Sequence, residues 1–376
     1  MKFNYNLPVN LVFGRGRVTE VGEITSVYGK KALIVTGKNS TKKTGLLDKV
    51  TEVLEAAGLG VAVFDKVSQN PLTTTAEEGA ALAAQEGCDV IVGLGGGSIM
   101  DCAKAIAFLS KNDGDINDYI FNRKTGTEAL PLVLIPTTCG TGSEGNGFAV
   151  LTNPESGDKK SLRTNAIIAK ASIIDSELMQ TMPKHILASV GFDALCHSME
   201  AYLSKIAQPM TEMMCIEAME LIGKYLVATY QGTKDPEAWD AVTWASTIGG
   251  MVIHSAGVAL PHGMEHPASG LKDIVHGRGL AALTPVITKA SISAAPEKYA
   301  KIAECLSGGT DTDCVAVLRK LLGDIDLNVT LSEQGITEED IPWMSENCFK
   351  VSAASIANHP RTFTLEEIQE LYRKAL

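Results

Sequence analysis

Short runs of β-branched and aliphatic residues alternate with amphipathic helical stretches through the first half of the chain. The run KALIVT, residues Lys31–Thr36, has the length and composition of a buried strand, and the runs VAVFDKV, DVIVGLGGG and LPLVLIPTT repeat it. Between them lie stretches of helical period such as KTGLLDKVTEVLEAAG, TTTAEEGAALAAQEG and SIMDCAKAIAFLSK. Strands that alternate with helices predict a parallel sheet covered on both faces.

The pattern changes beyond about Asp175. From Pro183 onward come long stretches rich in Ala, Met and Ile, such as HILASVGFDALCHSMEAYLSKI and TEMMCIEAMELIGKYLVATYQG, with almost no β-branched alternation. A chain of 376 residues exceeds the roughly 250–300 residues at which single cores stop growing. We therefore predict an α/β nucleotide-binding domain over residues 1–181 and an all-helical domain over residues 182–376.

Composition narrows the range of partners and compartments. The net charge of −11 disfavours binding to nucleic acid or to anionic membranes. No apolar run approaches the roughly 18 to 20 residues needed to span a bilayer, and the first residues contain no signal-peptide h-region. The eight cysteines are scattered without a CxxC pair, which is typical of reduced thiols in the cytosol. We expect a cytoplasmic protein.

A cluster of histidines indicates a metal site. Four of the seven histidines fall within one short stretch: His254, His262, His266 and His276. Upstream, Asp193 and His197 are four residues apart, so on a helix both side chains project from the same face. Asp and several His at such spacing predict a nitrogen/oxygen site for a first-row divalent ion, although a chance meeting of polar residues is the alternative. Cys196 would turn about 100° away from that face, so we do not expect it to be a metal ligand.

Two loops of small residues indicate a nucleotide site. Gly95, Gly96 and Gly97 with Ser98 follow a predicted strand and open a helix, whose N-terminal N–H groups suit a pyrophosphate. This loop matches neither GxGxxG nor GxxxxGK[ST], so alone it is equally a tight turn. A second small-residue loop, PTTCGTGSE, follows the next strand. Because such loops gather at the carboxyl ends of parallel strands, the pair favours a nucleotide crevice.

Taken in order, the motifs resemble those of the iron-containing (group III) alcohol dehydrogenases. The residues that carry the resemblance are GGGSxxDxxK, PTTxGTGSE, GxDAxxHxxE and HGxxHP with a downstream HG. The similarity runs from FGRG near the start to NHPRT and LEEIQELY at the end, and so covers essentially the whole chain. It implies the fold of that family, which is related to the dehydroquinate synthases, with an α/β nucleotide-binding domain and an all-α metal-binding domain.

The resemblance also implies the site residues. The implied ligands of one divalent metal, Fe²⁺ in the usual case and Zn²⁺ as the alternative, are Asp193, His197, His262 and His276. His266 corresponds to a non-ligand beside the substrate, and the near-neutral pKa of an ordinary histidine suits it to relay the substrate proton. His254 matches no site position. The implied cofactor-binding residues are Gly37, Ser40, Asn70, Gly95, Gly96, Gly97, Ser98, Asp101, Thr137, Thr138, Thr141 and Lys159.

The resemblance also implies which part of the cofactor each group of residues binds. The glycine loop corresponds to the pyrophosphate site, Asp101 to the nicotinamide end, and the two threonines Thr137 and Thr138 to the adenosine end. Lys104 could equally be a solvated charge and is not included. In relatives that prefer NAD an Asp stands at the position of Gly37, which implies a preference for NADP(H) here, with NAD(H) possible.

The implied activity is hydride transfer between NAD(P)(H) and a small primary alcohol or aldehyde whose oxygen the metal polarises. The segment TGKNSTKKTGLLDKV is similar to the butanol-dehydrogenase-like branch, which works as an NADPH-dependent aldehyde reductase. We expect a substrate pocket lined by apolar side chains of the helical domain. We also expect a homodimer or a larger homo-oligomer, as is frequent in the family.

Three other functions fit parts of the sequence. His262–His266 matches the HxxEH pattern of zinc hydrolases, in which Glu265 would activate water; this leaves Asp193 and the glycine loops unused, and Pro267 disfavours a continuing helix. A lyase or synthase on the related fold would need a basic pocket for an acidic, phosphorylated substrate, which the acidic chain disfavours. A non-catalytic metal-binding module is the third.

Overall fold

The predicted parallel sheet forms in the N-terminal half. The computed structural model describes residues 2–309 and 311–376. Its strands are β1 (Asn10–Phe13), β2 (Lys31–Gly37), β3 (Gly60–Val67), β4 (Val90–Gly95), β5 (Leu132–Pro136), β6 (Phe148–Thr152), β7 (Lys159–Arg163) and β8 (Ala171–Ile174). Six of them form one parallel sheet in the order β1-β8-β5-β4-β2-β3, and β6 and β7 form a separate antiparallel hairpin.

Helices cover both faces of this sheet, as predicted. They are α1 (Val21–Ser26), α2 (Ser40–Lys43), α3 (Leu46–Ala56), α4 (Thr73–Glu86), α5 (Gly97–Leu109), α6 (Ile116–Ile120) and α7 (Ser176–Met179). Successive side chains of a strand point to opposite faces. Accordingly, Leu33 and Val35 of β2 join the core beneath α5, whereas Ala32 and Ile34 join the core beneath α3. The four strands predicted from the hydrophobic pattern are β2, β3, β4 and β5.

Among the described residues, the C-terminal half forms helices and connecting loops and no strand. Its helices are α8 (Lys184–Leu203), α9 (Pro209–Gln231), α10 (Pro236–Ala256), α11 (Leu260–Lys272), α12 (His276–Ser291), α13 (Pro296–Ser307), α14 (Cys314–Asp324), α15 (Ile341–Asn358) and α16 (Leu365–Ala375). This confirms the predicted fold class. The proposed boundary after residue 181 falls between α7 and α8 and stays a prediction.

One local prediction is wrong, because α11 continues through Pro267 for more than a turn. A proline inside a helix removes one backbone hydrogen bond and crowds the preceding turn. Here Leu260, Met264 and Ala268 of the same helix are fully buried in a core shared with α12 and α15. Tertiary packing on both sides of the proline therefore holds the helix together despite that local cost.

The cysteine and hydropathy expectations agree with the structure. All eight cysteines are buried and occur as thiols. Among the helices that the structure describes, none is both long and apolar enough to cross a bilayer.

Candidate active site

Three helices bring one aspartate and three histidines together. Helix α8 carries Asp193 and His197 one turn apart, α11 carries His262, and α12 begins at His276. The Asp193 Oδ1 atom lies 3.7 Å from His197 Nε2, 3.4 Å from His262 Nε2 and 3.6 Å from His276 Nε2. The three histidines predicted as metal ligands thus converge on one carboxylate oxygen of the fourth predicted ligand, Asp193, from three separate segments of the chain.

The four residues are not equally close to one another. Asp193, His262 and His276 each offer a donor atom, and these three atoms lie within 4.8 Å of one another. His197 faces the same carboxylate and stacks on the His262 ring, with the ring centroids 4.6 Å apart. The assignment of all four as ligands stays a prediction, and the first three form its tightest part.

Each histidine ring of the cluster has an oxygen atom close to its Nδ1 atom. The Nδ1 atom of His262 lies 2.6 Å from Glu200 Oε1, the Nδ1 atom of His276 faces Glu265, and the Nδ1 atom of His197 lies 3.4 Å from the Gly140 carbonyl oxygen. When Nδ1–H donates to these acceptors, the Nε2 lone pairs point into the cluster. Such second contacts fix ring orientation at metal sites and make the imidazole a better ligand.

The two supporting carboxylates were not predicted as such. Glu200 stands three residues after His197 in the motif GxDAxxHxxE, and its Oε2 atom also accepts from the Ala259 N–H at 2.6 Å. The HxxEH pattern predicts Glu265 only as the base of a hydrolase. A signal was available for Glu200, because it lies about one helical turn from His197. For Glu265 no signal existed, since its partner His276 is on a different helix.

The buried polar atoms of the cluster fit a bound cation. Asp193 Oδ1 and His262 Nε2 are fully buried and make no hydrogen bond to any described residue. Buried polar atoms without partners are costly, and in native proteins they are rare. Two lone pairs directed at the same space from an ionised carboxylate and an imidazole are the donor set that a divalent metal prefers. The residues present therefore fit a metal.

The ionisation of the cluster agrees with this. Burial favours the neutral form of Asp193, but the surrounding imidazoles outweigh it and hold the pKa of this carboxyl below its usual range. Burial lowers the pKa of His197 to about 4, so its ring is neutral, as a ligand must be. Burial opposes charge at His262 too, yet Glu200 and Asp193 raise its pKa to about 10. The cluster attracts positive charge.

His266 lies beside the cluster without joining it. It follows His262 by one turn of α11, with its ring centroid 6.2 Å from that of His262 and 5.9 Å from that of His276. Burial, reinforced by the nearby charge of Lys159, lowers the pKa of His266 well below its usual value. The expected near-neutral pKa is therefore wrong: the imidazole is neutral, and its affinity for a proton is weak.

The crevice predicted for the cofactor lies between the carboxyl ends of the strands and the helices α8 and α12. The predicted residues that line it are Gly37, Ser40, Asn70, Gly96, Gly97, Ser98, Thr138 and Thr141. Asp193 and His276 line its inner end, so the crevice leads to the aspartate–histidine cluster. Gly95 and Thr137 sit at the ends of β4 and β5, joined by a hydrogen bond from Thr137 N–H to Gly95 O, and do not line it.

Close packing at the start of α5 requires glycine. A Cβ atom on Gly97 would lie 2.3 Å from Thr141 Cγ2, and one on Gly96 would lie 3.0 Å from Thr138 Oγ1. The two small-residue loops therefore touch, and they leave the free N–H groups of the first turn of α5 facing the crevice. This cradle fits a pyrophosphate group.

A second cavity adjoins the crevice at the aspartate–histidine cluster. It has a volume of about 130 Å³ and is lined by Asp193 and by all of His197, His262, His266 and His276. Asp101 and Lys159, both predicted as cofactor residues, line this cavity instead of the crevice. The expectation of an apolar lining from the helical domain is only half correct. Ile253 and Val258 come from that domain, but the β6–β7 hairpin forms another wall.

Lys104 is not a solvated charge. It is fully buried, and its Nζ atom donates to Ser143 O at 2.6 Å, Ser143 Oγ at 2.7 Å, Asn146 Oδ1 at 3.0 Å and Phe148 O at 2.7 Å. Burial lowers the pKa of Lys104 to about 8, against the opposing charge of Asp101. Ser143 Oγ in turn donates to Asp101 Oδ1 at 2.6 Å. The lysine thus ties the loop after β5 and the start of β6 to α5.

The HxxEH interpretation does not fit the geometry. Glu265 is fully buried and faces His276, Ser269 and Lys159, the last with Oε2 and Nζ 3.6 Å apart. A carboxylate held in this way supports a histidine ring and has no access to a water molecule at a metal. His266, the second histidine of the pattern, does not belong to the close group of donor atoms among the described residues.

The chain matches one enzyme family along almost its whole length. Residues 8–176 match the family described as iron-containing alcohol dehydrogenase, and residues 187–376 match the C-terminal part of the Fe-containing alcohol dehydrogenase family.

Individual relatives are similar end to end. The NAD-dependent methanol dehydrogenase of Bacillus methanolicus is 34% identical over 382 residues, which cover 99% of this chain and 100% of that protein. The NADPH-dependent butanol dehydrogenase of Clostridium saccharobutylicum is 31% identical over 98% of this chain and 96% of that one. The crystal structure of the archaeal Red Sea brine pool alcohol dehydrogenase ADH/D1 superposes with a TM-score of 0.96 at 34% identity, covering 100% of this chain and 99% of that one.

Proposed function

The chain belongs to the iron-containing alcohol dehydrogenase family, and from this membership and the geometry of its site we propose that it transfers hydride between NADP(H) and a small primary alcohol or aldehyde. That it is an oxidoreductase acting on alcohols follows from the family. The finer proposal rests on one observation. The crevice meets the second cavity, which we assign as the substrate cavity, at Asp193 and His276, and these two residues line both spaces.

We propose that Asp193, His197, His262 and His276 hold one divalent metal, Fe²⁺ or alternatively Zn²⁺. A metal in this place would supply Lewis acidity to the substrate oxygen, and the nicotinamide would supply or accept the hydride. The protein's own contribution is to orient the ligands through Glu200, Glu265 and the Gly140 carbonyl, and to keep the cluster buried. Burial strengthens the electrostatic effect of the site, because it excludes water.

In the same scheme His266 handles the substrate proton. It lines the substrate cavity beside the cluster, where an imidazole can relay the hydroxyl proton that is released when an alcohol is oxidised. Lys159 lies close enough to affect it and is itself held by Asn70 Oδ1 at 3.0 Å and by Glu265. The predicted cofactor residues Asn70 and Lys159 therefore lie next to His266, the residue predicted to relay the proton.

The size of the cavity supports a small substrate. Its volume of about 130 Å³ is close to the roughly 150 Å³ of an engineered protein cavity that takes up benzene. Part of this space must accept the nicotinamide, because Asp101 and Thr141 line it as well. The names of the relatives, a methanol and a butanol dehydrogenase, agree with substrates of this size.

A reductase screen tests the function. The purified protein should oxidise NADPH in the presence of at least one aldehyde of two to six carbons, and the reverse reaction should appear with the corresponding alcohol. A synthase or lyase of the related fold would show no net consumption of reduced cofactor. We further propose a cytoplasmic homodimer or larger homo-oligomer, supported by the buried thiols and by the family resemblance.

The loop that follows β2 supports the proposed preference for NADP(H). Gly37 has no side-chain charge to repel a 2′-phosphate, while the exposed Lys38 and Ser40 offer a cation and a hydroxyl at the rim of the crevice. The relatives do not decide the matter, since one is named NAD-dependent and the other NADPH-dependent. We propose NADP(H) with weaker use of NAD(H), as in the butanol-dehydrogenase-like branch.

Replacing Gly37 with aspartate should reverse this preference. The substitution fits the backbone, because a Cβ atom there would lie 3.4 Å from Ile99 Cδ1, an ordinary contact distance. The new carboxylate would repel the 2′-phosphate and accept from the ribose hydroxyls of NAD. The ratio of kcat/KM for NADPH to that for NADH should fall by about 10-fold or more.

The matched control is Gly60→Asp, which adds the same charge at the start of β3, away from the crevice. It should leave the ratio unchanged. A wild-type protein that already works better with NADH, or a Gly37→Asp variant with unaltered use of NADPH, would show that this loop does not select the cofactor.

A further inference from the structure

The inward face of the β6–β7 hairpin presents two cations to the substrate cavity. Alternate residues of β7, Lys159, Ser161 and Arg163, line the cavity, as expected for side chains on one face of a strand. Their neighbours across the hairpin, Phe148 opposite Arg163 and Val150 opposite Ser161, line it too. This wall therefore combines apolar side chains with fixed positive charge.

The two cations differ in their partners. The ammonium of Lys159 is buried and lies 3.6 Å from the Glu265 carboxylate and 3.0 Å from Asn70 Oδ1. Arg163 has no carboxylate oxygen within 4.0 Å among the described residues. Its guanidinium instead lies over the Phe148 ring, 4.7 Å from the centroid. A cation–π contact of this kind positions the guanidinium and leaves its charge uncompensated.

The hairpin sets the distance between this charge and the reacting end of the cavity. Lys159 approaches Glu265, which supports the predicted ligand His276. Arg163 lies four residues further along the same strand, about 13 Å by the usual rise per residue. The two ends of β7 are therefore well separated: Lys159 lies beside Glu265, and Arg163 lies over the Phe148 ring.

The cofactor does not supply the missing anion. Its pyrophosphate is proposed to bind at the start of α5, and its 2′-phosphate near Gly37, both in the crevice and not beside Arg163. Arg163 is also exposed, so a dissolved anion can reach it. In a chain of net charge −11 an uncompensated arginine facing a substrate cavity is a local attractor for negative charge.

We propose that Arg163 binds a negatively charged group, a carboxylate or a sulfonate, at the far end of the substrate. The preferred substrates are then short aldehydes that carry an anion at the end opposite the carbonyl, together with the matching alcohols. The planar guanidinium can bind either oxyanion with two parallel hydrogen bonds. This inference rests on the proposed reductase function and narrows it to a substrate class.

A pair of matched substrates tests the proposal. The reduction of 4-oxobutanoate is compared with that of its methyl ester, which has nearly the same shape without the charge, and 3-oxopropane-1-sulfonate serves as the sulfonate arm. The wild-type protein should show a kcat/KM at least about 10-fold higher for the charged aldehydes, the scale of one charge-assisted hydrogen bond. The arm with the higher kcat/KM identifies the oxyanion.

Variants of β7 assign the effect to Arg163. In Arg163→Met the ratio of charged to uncharged kcat/KM should fall by roughly 10- to 100-fold, and Arg163→Lys should retain part of it. The matched control is Lys160→Met, next along the strand but on its other face, where the ammonium donates to the Val351 carbonyl at 2.6 Å. This control should keep the wild-type ratio.

The outcomes separate the inference from the function on which it rests. Turnover of butanal and of the methyl ester at least as fast as that of both charged aldehydes, in the wild-type protein, overturns the inference and leaves the reductase function standing. Equal changes of the ratio in Arg163→Met and Lys160→Met also overturn the inference alone. Absence of turnover with every aldehyde, charged or neutral, overturns both.

Discussion

Replacing His262 with alanine should strip the protein of its divalent metal and abolish hydride transfer. The ring is buried between Asp193 and Glu200, its Nε2 atom has no other partner among the described residues, and its Nδ1 atom is held by a carboxylate. Loss of a mere supporting residue already weakens metal binding by about 10- to 100-fold, so loss of the ligand itself should cost more. Metal content measured by mass spectrometry, together with aldehyde reduction, provides the readout.

His185→Ala is the matched control, because His185 is an exposed histidine on α8, the helix that carries Asp193 and His197. This variant should keep about one ion per chain and wild-type activity. Glu200→Gln should be intermediate, with metal affinity reduced by about 10- to 100-fold. A folded His262→Ala protein with full metal content and full activity would remove His262 from the ligand set.

Replacing His266 with alanine should lower activity by roughly 10²- to 10⁴-fold, the usual scale for a group that transfers a proton in the reaction. The metal should stay, because the His266 ring lies outside the close group of donor atoms and contacts the rings of His262 and His276 only at 6.2 and 5.9 Å between centroids. Metal content and steady-state rates of the same preparation separate the two roles.

Two results would contradict this role of His266. Loss of the metal in His266→Ala would show that His266 is a ligand, as the HxxEH pattern of zinc hydrolases requires. Full activity with the metal in place would show that the substrate proton reaches solvent by another route, for which Lys159 is a candidate because it lines the same cavity.

The hydrophobic pattern was sufficient for the central part of the sheet. Strands β2, β4 and β5 are nearly continuous apolar runs, since both faces of the sheet are covered and the period of two is hidden. The edge strand β3 is also rich in β-branched residues, although it contains Asp65 and Lys66. The strands β1 and β8 are only four residues long and gave too short a signal. In β7 the sequence KKSLR has no apolar run at all, because one of its faces lines a cavity that exists only after folding.

The site was predictable where its chemistry depends on local spacing. Asp193 and His197 share a helix face, and the glycine loop begins a helix directly after a strand, so both features can be predicted from the sequence. Contacts between distant segments could not be predicted from the sequence. The burial of Lys104 depends on acceptors 39 to 44 residues away, and the support of His276 by Glu265 depends on the packing of α11 against α12.

Reconstitution with metal tests most directly whether a divalent ion, held by the four predicted ligands, is required for hydride transfer. The wild-type protein is stripped with a chelator, dialysed, and titrated anaerobically with Fe²⁺, in parallel with Zn²⁺, while NADPH-dependent aldehyde reduction is followed. The stripped protein should be folded and inactive, and activity should rise linearly and end at one equivalent of metal per chain, with His185→Ala behaving in the same way and His262→Ala remaining inactive. A stripped protein that reduces aldehydes at the full rate, or activity that does not depend on added metal, would contradict the assignment of Asp193, His197, His262 and His276 as the centre of the reaction.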